Sequence, residues 1–413
     1  MELKVIELFA GVGGFRVGLN KIIEIHKTGV AIENKKWDFV WANQYEPSTK
    51  TQDAYECYKK RFNTNDISNE DIALIDKNKI PYHSLLVGGF PCQDYSVARS
   101  LNNELGIQGK KGILFWEIIE ILKIKKTPFV LLENVDRLLK SPSKQKGRDF
   151  AIMLKTFDVL GYDVQWRIIN AAEYGMPQKR KRVFIFAYKK NLKYSKEIEK
   201  HNLNLDSNIF NRVFKIEYKN SLNSINLNEY NDLFDLTNNY NKGKFLETGI
   251  MKNGVVFHDN ITEISTSKHT LKMVLDKSKE FNSNIQNYLI QDEKLKKFEY
   301  LKGSKKIQRT SKDGHKYWYS EGKMPFPDNL NEPARTMLTS EGSINRSTHI
   351  IYDETLRNYR SLTPIECELI QMFPPNWTNT MSEKRRYFMM GNALVTGIIS
   401  EIEPILSQII ENE

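Results

Sequence analysis

One thiol stands where chemistry is most readily built in this chain. The apolar run Leu85-Leu86-Val87 leads through Gly88-Gly89-Phe90 into Pro91-Cys92-Gln93. An apolar run closed by glycine and proline reads as a buried strand that stops at a turn. The proline sets φ and the glycines let backbone approach a ligand. Cys92 then falls at the carboxyl end of the strand, where open α/β sheets hold their ligands. A thiolate presented there is a nucleophile. The plainer reading of Cys92 is a small buried hydrophobe, the commoner fate of a free cysteine.

Other reactive groups recur at strand ends. Pro128-Phe129-Val130-Leu131-Leu132 reads as a buried strand ending in Glu133-Asn134-Val135. A carboxylate there shares a neighbouring strand's pocket, or else caps a helix. Gln178-Lys179-Arg180-Lys181-Arg182 runs into the strand Val183-Phe184-Ile185-Phe186-Ala187. Strand alternation puts Gln178, Arg180 and Arg182 on one face, an arginine row aimed into a cleft, although a basic run is more often a solvated face.

Near the start, the strand Lys4 to Phe9 passes into Ala10-Gly11-Val12-Gly13-Gly14-Phe15 and a helix with Val17, Leu19, Ile22 and Ile23. Strand, glycine turn and helix make a nucleotide-type pocket, and the G-x-G-G spacing departs from the pyrophosphate fingerprint. That departure favours an adenosine ligand without a pyrophosphate. The second strand, Phe39 to Ala42, ends in Asn43-Gln44-Tyr45-Glu46. A polar side chain at this place suits ribose hydroxyls, and an aromatic beside it suits an adenine face. Asn65-Asp66-Ile67 offers a further carboxylate, for an adenine amino group.

These elements imply an α/β fold, and 413 residues allow two to three domains. A net charge of +10 points to a polyanionic partner. Cys57, Cys92 and Cys367 match neither a disulfide framework nor a zinc pattern, so no metal is expected and a reducing cytoplasm fits. No apolar stretch reaches the roughly 18 residues of a membrane span, and the amino terminus runs into a strand rather than a signal peptide. After about Lys189 the composition shifts to Asn, Lys and Ser up to about Tyr300, as in a loop-rich second domain or insertion. Lys305, Lys306, Arg309, Lys312 and Lys316 interleave with Tyr317, Trp318 and Tyr319, a mixture suited to phosphate and base contacts. Regular patterning returns at Arg360-Ser361-Leu362-Thr363-Pro364-Ile365-Glu366, where threonine caps a helix opened by proline. Gly391-Asn392-Ala393 then precedes an amphipathic helix through Ile409.

Taken together, F-A-G-V-G-G at 9–14, G-F-P-C-Q at 89–93, E-N-V at 133–135, Q-K-R-K-R at 178–182, R-S-L-T-P-I-E at 360–366 and G-N-A at 391–393 resemble the DNA (cytosine-5) methyltransferase family, bacterial restriction-modification type, in its motif order. The resemblance implies a Rossmann-like S-adenosylmethionine-dependent domain with a mixed, mainly parallel sheet, plus a smaller target-recognition domain. The expected division is 1–189 for catalysis, 190–384 for DNA recognition, and 385–413 as a helical segment returning to the first domain. The resemblance makes Cys92 the nucleophile, Glu133 the group on the cytosine ring nitrogen and amine, and Arg182 with Arg180 the cationic face. It puts Phe9, Gly11, Val12, Gly14, Asp66, Ile67, Pro91, Leu114 and Asn392 on the cofactor shell. The family's usual Glu-Trp pair stands here as Gln44-Tyr45, with Glu46 one step later, so either Gln44 or Glu46 holds the ribose.

The expected substrate is cytosine in double-stranded DNA, and the expected enzyme is a cytoplasmic monomer without an obligate protein partner. A transfer-RNA cytosine-5 methyltransferase and an inactive DNA-binding relative are the alternatives. Carbon 5 of cytosine is a poor nucleophile until a thiolate adds to carbon 6. A site must lower a free thiol's pKa of about 8.5 with positive charge or backbone dipoles, and a carboxylic acid on the ring nitrogen drains the developing charge. The base must leave the duplex stack to be reached, as with methyltransferases generally.

Overall fold

The computed structural model describes residues 1–90, 113–200, 204–219, 221–311 and 314–413. They form two compact units. The first comprises Met1–Tyr174, Lys181–Thr266 and Thr396–Glu413; the second comprises Gly175–Arg180 and Ser267–Val395.

The first unit is built on a 10-stranded sheet. Its strands are β1 (Lys4–Leu8), β2 (Asp38–Asn43), β3 (Ile67–Ser68), β4 (Leu85–Gly89), β5 (Phe129–Val135), β6 (Tyr162–Asn170), β7 (Lys181–Lys189), β8 (Asn223–Asn226), β9 (Thr248–Lys252) and β10 (Val255–Asp259). The spatial order is β8-β10-β9-β6-β7-β5-β4-β1-β2-β3. Parallel pairing joins β3, β2, β1, β4 and β5. Beyond β5 every pairing in this sheet is antiparallel. Val5, Ile6, Leu8, Leu85, Leu86, Val87 and Phe129 to Leu132 are all at 0% exposure. Such strands, covered on both faces, read as nearly continuous apolar runs rather than as alternation, which is why they were legible. Helices α1 (Gly14–Asn20), α2 (Asp53–Phe62), α3 (Ile113–Lys125) and α4 (Arg148–Val159) belong to the same unit. Phe150 of α4 meets Trp166 of β6 edge to face at 5.1 Å.

The expected α/β class and mixed sheet are borne out, and the parallel part is the half built before Val135. The expected boundary at 189/190 does not coincide with the units. Residues 190–266 remain in the first one because β9 pairs with β6, Thr248 opposite Arg167 and Ile250 opposite Gln165, and β10 and β8 extend the sheet. Ile225, Ile250, Met251 and Val256 supply the buried contacts. These strands are short and set among Asn and Ser, so their apolar signal is diluted. The boundary at 384 differs as well: the first unit regains the chain at Thr396. The closing helix Thr396–Glu411 buries Ile398, Ile399, Ile402 and Leu406. Its Ser400 hydroxyl donates to the Gly18 carbonyl at 2.9 Å, and Glu403 accepts the Trp37 indole N–H at 3.1 Å.

The second unit contains α5 (Leu271–Ser278), α6 (Asp292–Lys302), α7 (Pro364–Ile370) and α8 (Glu383–Asn392). It also has the hairpins β11 (Lys305–Thr310) with β12 (Lys316–Glu321) and β13 (Ile350–Asp353) with β14 (Asn358–Ser361). Thr363 and Glu366 form the reciprocal capping box of α7, with Pro364 in its first turn. Buried ion pairs tie this unit: Arg360 to Glu366 at 2.8 Å, and Lys302 to Asp328 at 3.3 Å. Among the described residues no single helix is long and apolar enough to cross a membrane.

Candidate active site

Four parallel strands end on one edge of the sheet. Leu8 is level with Asn43 and with Gly88, and Gly88 with Leu132. From β1 the chain goes to β2 on one side, while β4 lies on the other. The crevice between β1 and β4 is therefore the switch point at which open α/β sheets bind ligands.

The glycine turn sits at that point. Phe9, Gly11 and Gly13 have φ of 53, 55 and 86°. A Cβ on Gly13 would lie 2.4 Å from the Phe62 ring, whereas one on Gly11 would meet nothing within 4 Å. The turn thus packs against α2 at Gly13 and stays open at Gly11. Phe9 has no such freedom: a bulky residue in the left-handed region costs roughly 1–2 kcal/mol, and strain of this kind gathers at ligand sites. Gln44 fixes the turn, because its Oε1 accepts the Gly11 N–H at 2.8 Å. The Glu46 N–H donates to Gln52 Oε1 at 2.8 Å. Tyr45 and Asp66 are exposed, Val12 and Ile67 are buried, Gly14 opens α1, and Leu114 is half-buried in the first turn of α3. Pro91 lies outside the described residues.

Beside the crevice, Gly89 of β4 is level with Glu133 of β5. A Cβ on Gly89 would come within 3.2 Å of Glu133 Oε2, so the glycine leaves the carboxylate its room. The Arg182 Nε lies 2.9 Å from Glu133 Oε1, with side-chain exposures of 16% and 13%. Antiparallel pairing of β5 with β7 sets this contact, since Val135 is opposite Arg182. Asn134, which drew no separate expectation, donates from Nδ2 to the Phe90 carbonyl at 2.9 Å. It ties the segment after β4 to the end of β5. Cys92 follows Phe90 by two positions and lies outside the described residues.

Arg180 and Asn392 both belong to the second unit, and of the two Arg180 is engaged otherwise than expected. Arg180 is buried, and its guanidinium donates to the Met337 carbonyl at 3.1 Å and the Gly391 carbonyl at 3.0 Å. β7 begins only at Lys181, so strand alternation does not carry Arg180 into a row with Arg182. A guanidinium committed to carbonyls at the end of α8 holds backbone rather than forming a reactive face. Gln178, also buried, accepts the Met337 N–H at 3.1 Å. Asn392 is exposed at the last position of α8.

One polar group behind the turn was missed by sequence reasoning. Glu7 is fully buried in β1, and its Oε1 accepts the Phe15 N–H at 3.1 Å. Burial pushes its carboxyl up to about 8, only partly offset by the Phe15 N–H and by Arg16, which pairs with Glu33 at 2.7 Å. The signal was available as a lone acid inside the run Val5 to Phe9. Because the folded pKa lies above the ordinary 4.5, the folded chain holds a proton that the unfolded chain has lost. Stability is therefore full below about 4.5 and declines as pH rises towards about 8. Glu7→Gln keeps an acceptor and removes the titration, so its thermal stability relative to the parent should improve steadily across that window. Parallel melting curves with equal pH dependence would contradict this reading.

A profile of the family described as C-5 cytosine-specific DNA methylase matches residues 3–408. The chain is 49% identical over 407 residues to the type II methyltransferase M.Sau3AI of Staphylococcus aureus, covering 97% of this chain and 94% of that protein. It is 36% identical over 191 residues to the type II methyltransferase M.NgoBI of Neisseria gonorrhoeae, covering 46% and 52%. The crystal structure of the S. pombe Dnmt2 methyltransferase superposes with a TM-score of 0.56, covering 99% of this chain and 98% of that one. At 14% identity that likeness concerns the fold alone. With a family profile spanning nearly the whole length and a full-length relative at 49% identity, the chain belongs to the C-5 cytosine-specific DNA methylase family.

Proposed function

We propose that the chain methylates carbon 5 of a cytosine extruded from a specific duplex DNA sequence, as the modification enzyme of a restriction-modification system, with Cys92 as nucleophile. The observation that carries the residue assignment is the Glu133–Arg182 pair at 2.9 Å, level with Gly89 and so beside the strand end that leads to Cys92. The open hollow over Gly11, with Phe9, Tyr45, Glu46 and Asp66 around the same strand ends, fits an adenosine-bearing ligand. S-adenosylmethionine, the cofactor of this family, supplies an electrophilic methyl group when bound.

In this reading the Cys92 sulfur adds to carbon 6 of the ring while Glu133 gives a proton to the ring nitrogen. The electron pair gained at carbon 5 takes the methyl group. Loss of the carbon-5 proton to a base then expels the thiolate, the ring nitrogen returns its proton to Glu133, and the aromatic ring is restored. Arg182 fixes the orientation of Glu133 and offsets negative charge on the ring oxygen side. Phe90, held by Asn134, positions the chain that carries Cys92. We assign Gln44 to fixing the glycine turn and leave the ribose hydroxyls to Glu46, since the Gln44 oxygen is already engaged by Gly11. A monomer in a reducing cytoplasm is the expected working form.

Bisulfite sequencing of DNA from a host expressing the protein tests the function. A recurrent methylated sequence is expected, and fully converted cytosines throughout would contradict it. Gln44→Ala leaves the Gly11 N–H without its acceptor, a loss worth about 1–3 kcal/mol. Calorimetry should show S-adenosylmethionine binding weakened by about tenfold, with Gln44→Glu near the parent value. Unchanged affinity in Gln44→Ala would remove that role.

A further inference from the structure

The net charge is concentrated in the second unit: residues 175–180 and 267–395 hold 23 Lys and Arg against 15 Asp and Glu, +8 of the chain's +10. Within it one element is built unlike the rest. The β11–β12 ribbon has Lys305 opposite Glu321, Lys306 opposite Ser320, Gln308 opposite Trp318, and Thr310 opposite Lys316. Residues directly opposite in an antiparallel pair share a face, and faces alternate along each strand. One face therefore carries Lys306, Gln308, Thr310, Lys316, Trp318 and Ser320, and all six are exposed. Trp318 is 61% exposed, with the Lys306 ammonium 5.3 Å from its ring centre.

The base of the ribbon is held firmly on its other face. Glu321 pairs with Arg346 at 2.6 Å and accepts the Tyr319 hydroxyl at 2.7 Å. Arg309 stacks on Tyr319 at 3.7 Å. The Met324 N–H donates to the Lys302 carbonyl at 2.8 Å, and Lys302 is anchored inside on Asp328. A ribbon fixed at its base presents a set of donors, acceptors and one indole that no part of the second unit covers.

We propose that this outward face enters the major groove of the substrate duplex and carries part of the choice of target sequence. The proposal rests on the DNA-methylation reading above. The major groove, about 12 Å wide, admits a two-stranded ribbon, and six residues of strand span roughly 20 Å, or about six base pairs. Gln308 is the side chain on this face that meets a base edge with paired donor and acceptor, as Gln does with adenine. Lys306 and Lys316 lie at opposite ends of the strands and suit phosphates on the groove walls. Trp318, opposite Gln308, supplies apolar contact to a sugar or a thymine methyl.

The test uses the full-length protein with S-adenosylmethionine and a randomised duplex library read by bisulfite sequencing, beside binding titrations against salt. Gln308→Ala should relax the preference at one base pair by about tenfold. Lys306→Ala with Lys316→Ala should keep the preference and lower the salt slope of binding by about two. Trp318→Ala should raise KM for DNA about tenfold with kcat and cofactor affinity unchanged. These positions are exposed, so melting temperatures should stay at the parent value. Variants that methylate the parent's sequence with the parent's KM and salt slope would overturn the ribbon assignment while the function stands. A parent protein that methylates no duplex would overturn both. Equal affinity for duplex RNA would also overturn the groove reading, because side chains cannot enter the deep, narrow A-form major groove.

Discussion

Cys92→Ser is expected to stop methyl transfer, with kcat lowered by on the order of ten-thousand-fold or more, while S-adenosylmethionine still binds. A serine hydroxyl stays protonated where a cysteine thiol ionises, and the alcohol adds to carbon 6 far more slowly than a thiolate. The proposed cofactor shell, by contrast, draws mainly on the ends of β1, β2 and β3, and exchanging the sulfur of residue 92 for oxygen leaves those strand ends as they are. Transfer of tritium from labelled cofactor to duplex DNA gives kcat, and calorimetry gives the cofactor affinity. Activity within about tenfold of the parent would exclude a covalent role for this thiol.

Glu133→Gln comes next in size. The amide preserves shape and can still contact the cytosine edge, but it cannot deliver a proton to the ring nitrogen. General acid help of this kind is worth about 10²–10⁴ in rate. The loss should fall on kcat rather than on KM, since the ground state keeps its contacts. The substitution also leaves the largely buried Arg182 without the carboxylate it faces at 2.9 Å. A lowered melting temperature should accompany the slower rate, because an ion removed from water and then deprived of its partner is costly. Arg182→Leu in the same background should recover melting temperature without recovering rate. If the double variant regained activity, Glu133 would be acting only through its ion pair.

The parts of the fold that were legible are those in which one physical demand dominated. β1, β4 and β5 are covered on both faces, so Val5, Leu85 and Phe129 begin largely apolar runs that stop at the edge of the proposed site. The closing helix showed its amphipathic period, and it does belong to the first unit. β8, β9 and β10 were not legible, because strands of 4 to 5 residues flanked by Asn carry too few apolar positions to stand out. Their place in the sheet is set by β9, which pairs with β6, a long-range partner that no local pattern reveals, and which carries β10 and then β8. At the proposed site, Glu133 and Arg182 were singled out from residue type and strand ends, and the structure brings the two together. Arg180 was grouped with Arg182 by alternation, but the strand starts between them and their side chains part ways. Glu7 and Asn134 act on backbone N–H and C=O groups, and such roles follow from three-dimensional neighbours rather than from spacing.

The central claim is that a bond forms between Cys92 and carbon 6 of the target cytosine before the carbon-5 proton leaves. A duplex carrying fluorine at carbon 5 of that cytosine tests it most directly. Fluorine cannot depart as a cation, so the ring should accept the methyl group and then remain joined to the protein. The account predicts an adduct that requires S-adenosylmethionine, survives denaturing electrophoresis, maps by peptide mass to Cys92, and is absent in Cys92→Ala. Its formation should be slower in Glu133→Gln, with the thiol intact. A crosslink on Cys57 or Cys367, or no adduct on a sequence whose ordinary form is methylated, would contradict the mechanism.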